Sequence, residues 1–271
     1  MLRCGIGSIQ ASNYKDDAMT KRNIKLLSLT LLVCVATIAN AESPDASPEA
    51  KTLYFKALPY LDKIDEIDNE IFNIRDQLPN EEKFPEKKKE ELINKLRTLV
   101  AEAVPLLKRS AADGNPAAQY RLARLAIGIE PREQAVGQVC SLLKSSLTQG
   151  FAPAGMQMIS YCFDDVKTAE FRSLIDALPE NTTSQSKYYP QPMLMPSCDR
   201  DSDSRRKNAI ASLNEKAIRA ELYMSLSTQI SGQNLKQEKI RYLQKAANYG
   251  CRRAIERLKL IDDVRDVNVV P

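Results

Sequence analysis

Three glycines, Gly114, Gly150 and Gly250, occupy the same place in one recurring pattern, and that pattern limits the fold of this chain more than any other feature. Seven residues before them stand Leu107, Leu143 and Leu243. Four and three before stand Ser110 and Ala111, Ser146 and Leu147, and Ala246 and Ala247. Four after come Ala118, Ala154 and Ala254, and eight after come Leu122, Met158 and Leu258. Leucine seven before, with small or apolar residues at three and four before, marks one face of a helix. A glycine just past its end takes the left-handed conformation that closes the helix, which costs other residues roughly 1 kcal/mol or more. At the first copy Asn115-Pro116 restarts the chain as cap and first helical residue. The alanine four after lets the second helix lie close against the first. The unit predicted is an antiparallel α/α hairpin.

Helices of about a dozen residues are marginal alone in water. They persist when neighbouring hairpins cover their apolar faces, which is how a solenoid is built. The spacing agrees: Gly114 and Gly150 are 36 residues apart, and the 100 residues from Gly150 to Gly250 hold one more repeat plus an insertion. The fold class expected is all-α, an α/α-hairpin solenoid preceded by a long helical hairpin. With no Trp and 6% aromatics the composition suits Ala- and Leu-built repeats better than a sandwich or barrel.

The segments AADGNPAAQYRLA (111–123) and QKAANYGCRRAIERL (244–258) resemble the Sel-one-like repeat, a relative of the tetratricopeptide repeat; LKSSLTQGFAPAGMQMI (143–159) is a looser copy. The resemblance covers about 105–262. It implies a tetratricopeptide-like right-handed superhelix whose groove holds other proteins in an adaptor or scaffold role. The chain departs from the family in two places. The Trp often found eight before the glycine is replaced by Leu106, Leu142 and Tyr242, and the L-G-x-x-Y-x-x-G stretch is blurred to LARLAIG (122–128). Some cysteine-rich relatives are associated with β-lactam binding or weak hydrolysis, so a cell-wall-related activity is the alternative implied.

Residues 1–41 read as a leader. From Met19, the expected start, Lys21, Arg22 and Lys25 precede the apolar stretch Leu26–Ile38 and then Ala39-Asn40-Ala41, an A-x-A cleavage site. The apolar stretch is too short for a permanent span. Val33-Cys34 lacks the small residue expected before a lipid-modified cysteine. The leader holds five Lys/Arg and two Asp/Glu, so 34 basic and 33 acidic residues remain, a net charge of +1 against +4 for the whole chain. No general field steers such a protein to nucleic acid. The chain is expected in the periplasm or outside the cell, with no membrane span after cleavage and with one or more proteins as partners.

The rest divides into an N-terminal hairpin (42–104), the repeat region (105–262) with an irregular insertion (179–207), and a tail (263–271) expected to fray. Ser47 and Pro48 open a helix over 47–78, with Leu61, Ile64, Ile67, Ile71, Ile74 and Leu78 at helical steps and Pro59 expected to kink it. A second helix is read at about 86–104, and the charged run 81–91 between them as a solvated turn. Further helices are read at Val166–Leu178 and at about 208–230, 236–249 and 251–262.

Chemistry is sparse. The chain has no His, which removes Ser-His-Asp, Cys-His and H-E-x-x-H arrangements. Two S-x-x-K matches, Ser141–Lys144 and Ser204–Lys207, lack the companion motifs of acyl-enzymes and read as chance. Asp199, Asp201 and Asp203 in DRDSDS imitate a calcium loop, but its sixth place is Ser204 and its twelfth Ile210, and Arg200, Arg205, Arg206 and Lys207 repel a cation. Asn181-Thr182-Thr183 is a glycosylation acceptor only in a host that glycosylates. Tyr188 and Tyr189, with Met193–Met195, are the insertion's apolar spot, either a partner anchor or residues tucked onto the scaffold. Arg252, Arg253, Arg257 and Lys259 read as decoration of an exposed helix face. No catalytic residue, metal site or cofactor is expected.

Beyond the leader four cysteines remain, Cys140, Cys162, Cys198 and Cys251. An even number in an exported chain reads as disulfides, since four scattered thiolates without His make a poor zinc site. Cys140 and Cys162 stand eleven residues either side of position 151, so they face one another across an antiparallel hairpin. A bridge there contributes ~3 kcal/mol by loop entropy. Cys198 then pairs by elimination with Cys251; the alternative is that these cysteines stay reduced as small buried residues. Thiol titration of the denatured protein is expected to gain four reactive groups on reduction, and no gain would exclude both bridges.

Overall fold

The corners that follow Gly114, Gly150 and Gly250 determine the course of the chain. All three glycines have positive φ, +83°, +84° and +90°. The glycine N–H bonds the carbonyl three residues back (Ala111, Leu147, Ala247), and the next N–H bonds the carbonyl five back (Ser110, Ser146, Ala246). That pair is the Schellman closure, repeated without variation.

The computed structural model describes residues 46–78, 84–179, 191–192, 197–198, 212–230 and 235–267. Among them the fold is all-α: α1 Pro48–Gln77, α2 Glu86–Ala112, α3 Pro116–Ile129, α4 Arg132–Thr148, α5 Ala152–Tyr161, α6 Ala169–Asp176, α7 Glu215–Gln229, α8 Lys236–Asn248 and α9 Arg252–Val267. The one sheet is a two-residue antiparallel ladder, β1 Gln191–Pro192 on β2 Ser212–Leu213, with Gln191 opposite Leu213. Successive helices from α1 to α5 pack on one another, then α5 on α7, α7 on α8, and α8 on α9.

Several boundaries differ from expectation. α2 runs on to Ala112, so the break expected at 104/105 falls inside a helix: Leu99, Ala103, Leu107 and Ser110 continue its 3–4 spacing, and the helix passes through Pro105. One helix therefore serves both as the second arm of the first hairpin and as the start of the Gly114 corner. α1 likewise continues past Pro59. The helix expected over 166–178 is split at Thr168: a 3-10 turn covers Asp165–Lys167, and the Thr168 hydroxyl accepts from the Phe171 N–H to start α6 afresh. α7 begins at Glu215 under an Asn214 cap, and α9 extends five residues beyond 262.

The pattern positions form the core. Leu107, Leu143, Ala118, Ala154 and Ala254 have no exposed surface. Ser110 and Ser146 are equally buried, and their hydroxyls cross to the first turn of the preceding helix, Ser110 to the Ala50 carbonyl of α1 and Ser146 to the Pro116 carbonyl of α3, each at 2.7 Å. A buried hydroxyl needs such a partner, and here it also fixes the helix register. α3 is tied to α1 by a buried ion pair, Arg121 to Asp65 at 2.8 Å.

Glycine elsewhere has the opposite meaning. Gly137 lies inside α4, and a Cβ there would meet nothing within 4 Å. Gly250 is as open, but its φ is +90°. Gly250→Ala is therefore expected to destabilise by ~1–2 kcal/mol through backbone strain alone. Gly137→Ala is expected to stabilise by ~0.5–1 kcal/mol. Denaturant unfolding of the two variants checks the pair, and equal effects would be inconsistent with the Schellman corner.

Candidate interaction surface

The expected disulfides form: Cys140 bridges Cys162, linking α4 to the end of α5, and Cys198 bridges Cys251. Asp165 also lies close to the first pair, but cysteines joined to each other are not available as thiolate ligands. Two bridges place these residues in an oxidising environment. No described helix is long and apolar enough to cross a membrane.

Around Cys198 the root of the insertion is fixed by independent means. The buried Glu221 carboxylate of α7 accepts from the Ser197 and Cys198 N–H groups at 2.6 and 2.8 Å, and the Cys198 carbonyl accepts from the Arg253 N–H at 3.1 Å. Arg219, almost wholly buried, bonds Glu215 and the Pro179 carbonyl at the insertion's other end. Glu221 follows Ala220 as Gln119 follows Ala118. Gln119 donates through its amide to the Ala111 carbonyl at the preceding corner. Where the facing group is an N–H rather than a carbonyl, an acceptor-only carboxylate takes the amide's place.

This correspondence gives a position to the further repeat expected between Gly150 and Gly250, which sequence reading had not placed. Ala220 of α7, a helix that packs on α5 and α8, is buried like Ala118, Ala154 and Ala254, and it stands 34 residues before Ala254. No glycine precedes it, so the corner signal was absent; the alanine spacing alone carried it. Gly155 of α5 permits this approach, since a Cβ there would meet Leu222, Ile175 and Leu147 at 3.0 to 3.3 Å.

α6 is too short to persist alone, and α4 and α8 hold it. Phe171 and Ile175 enter the core. Glu170 pairs with Lys144 of α4 at 2.9 Å, and Arg172 with Glu238 of α8 at 3.0 Å. Asp176 accepts from Tyr242 at 3.1 Å and pairs with Lys245 and Arg241 at 2.7 and 2.9 Å. Lys245 in turn lies over the Tyr223 ring. Burial and the adjacent Asp176 push the Tyr242 phenol up, and the phenol remains neutral. The Glu170 hydrogen bond raises Lys144, which keeps its ammonium charged. That is the wrong direction for a base activating Ser141, three residues earlier on α4.

Charge also lines the α1–α3 seam. Burial lifts the Asp68 carboxyl above its usual range, with Asp65 acting in the same direction and Arg124 and Arg121 opposing. A shallow groove of about 440 Å³ opens on α1 and α2, floored by Ile67 and Leu99 and rimmed by Lys63, Glu66 and Lys95. Tyr188, Tyr189, Met193–Met195, Asn181–Thr183, DRDSDS, Ser204–Lys207 and the leader lie outside the described residues. Compared with family models, with curated proteins and with solved structures, the chain finds no match in any of the three.

Burial alone would raise Asp176, but the hydrogen bonds from Lys245 and Arg241 outweigh it and hold the carboxyl below 3.8. Between its folded and unfolded pKa the native state binds fewer protons, so its contribution is present at neutral pH and disappears as pH falls below about 4. Asp176→Asn is expected to lower stability by ~1 kcal/mol at pH 7, allowing for partial exposure. Thermal melts of both proteins should draw together as the pH is lowered through and below 3.8.

Proposed function

We propose that this chain is an exported helical-repeat protein that works by binding other proteins, as an adaptor or scaffold of the Sel-one-like kind. The observation that carries the reading is the threefold recurrence of one Schellman corner with a buried alanine four residues later. Hairpins closed in the same way stack in a regular row, and a row of this kind presents side chains at fixed intervals to an extended partner. Two disulfides support export, because exported repeats cannot rely on a reducing compartment to keep thiols apart. The leader read at 19–41 supports the same address.

The odd-numbered helices supply the contact surface in this reading. Position ten after the corner glycine is half-buried Arg124 on α3 and exposed Ser160 on α5, so equivalent side chains recur along the row. Catalysis has no support from Ser141 and Lys144, the lysine being committed to Glu170.

The test is site-specific photo-crosslinking in the native envelope. A photoreactive residue at Arg124 or Ser160 is expected to trap a discrete protein adduct, while one at the exposed Glu133 of α4 is not. Adducts of equal yield at all three positions, or none at any, would count against the row as a binding surface.

A further inference from the structure

The first and last described helices each pack chiefly on a single neighbour, α1 on α2 and α9 on α8. Each also carries exposed apolar and charged side chains in a regular line. On α1, Phe55, Pro59, Asp62 and Glu66 follow at steps of four, three and four, which places them on one face. All four are exposed, Phe55 by 42%. On α9, Arg253, Arg257 and Leu260 follow at steps of four and three; the arginines are half-buried and Leu260 is 64% exposed.

The charges of these lines form no ion pair within the chain among the described residues. Among the described residues no cation lies within ion-pair distance of Asp62 or Glu66, and no carboxylate within that distance of Arg253 or Arg257. Burial pushes Arg257 below its ordinary pKa, and the like charge of Arg253 adds to the shift. Nearby charges are engaged or off the line: Glu256 is taken by Arg252, Lys95 beside Glu66 is paired with Glu91 at 2.6 Å, and Lys56 and Lys63 flank the α1 face to one side.

We infer that the α9 line docks on the α1 line of a second copy of this chain. Laid antiparallel, the two lines share one register. Glu66 meets Arg253, Asp62 meets Arg257 about 6 Å further along, and Leu260 reaches Pro59 beside Phe55. A parallel arrangement also matches the charges but sets Leu260 against Asn69, so the antiparallel register is the one that covers the apolar side chains. The contact joins two different surfaces, and each copy offers one of each. It either closes a pair or continues into longer chains. A small, charge-led contact of this sort is weak, with a Kd of about 100 µM.

The test uses protein expressed from the full 271-residue sequence. Sedimentation equilibrium from about 1 µM to about 1 mM is expected to show mass rising with concentration, and the rise to shrink severalfold in 0.5 M salt. The charge reversals Arg253→Glu with Arg257→Glu, or Asp62→Lys with Glu66→Lys, are each expected to weaken association at least tenfold. Both pairs lie on exposed or half-exposed positions, and circular dichroism confirms that they fold. An equimolar mixture of the two reversed proteins is expected to regain association within threefold of the unaltered chain, since each then offers the other a complementary face. A protein that stays monomeric throughout, association indifferent to either reversal, or a mixture that fails to regain it would overturn the inference.

Discussion

The left-handed backbone at Gly114, Gly150 and Gly250 is the constraint on which the rest of this structure depends. A helix ends with orphan carbonyls, and the Schellman closure satisfies them while turning the chain back on itself. Because the turn is the same at each corner, the residues at fixed distances from it meet the same surroundings. The leucine seven before is buried, the alanine four after lets the next helix approach, and the serine four before Gly114 and Gly150 bonds the start of the preceding helix. Periodicity in the sequence is thus a consequence of one backbone conformation used three times.

Polar groups then fix what apolar packing leaves free. Small apolar faces slide against each other at little cost, but a buried hydroxyl or carboxylate must find its partner at one register. Ser110 does this between α2 and α1, Ser146 between α4 and α3, and Arg121 with Asp65 between α1 and α3. The Glu221 carboxylate does it where the repeat is interrupted. The insertion's root is held by a covalent bridge and a buried carboxylate together, so α7 and α9 keep their places although the hairpin between α5 and α7 is curtailed.

What could be read from the sequence follows the same division. The corners were legible because only glycine relieves a positive φ, and the Cys140–Cys162 pairing because an antiparallel hairpin sets its own mirror positions. The end of α2 was misplaced because the repeat region was read as starting afresh at 105, whereas the apolar steps run on unbroken through Leu107. The repeat member at Ala220 was hidden because its corner is built by Asn214 and a short β-ladder instead of glycine. The docking of α6 could not be read at all. Asp176 and its partners on α8 are more than sixty residues apart, and nothing local marks a carboxylate as the one three donors will share.

The curtailed hairpin is also where the scaffold departs most from a uniform row. An eight-residue α6 buries only Phe171 and Ile175, far less than a full helix would, and the difference is made up by ion pairs to α4 and α8. Ion pairs at partly exposed sites contribute little each and weaken with salt and acid. α6 is therefore held less firmly than the helices that meet at the glycine corners, where closure is by backbone hydrogen bonds and apolar burial. Local opening of a repeat array starts at its weakest interface. In this chain that interface is the packing of the eight-residue α6 on α4 and α8.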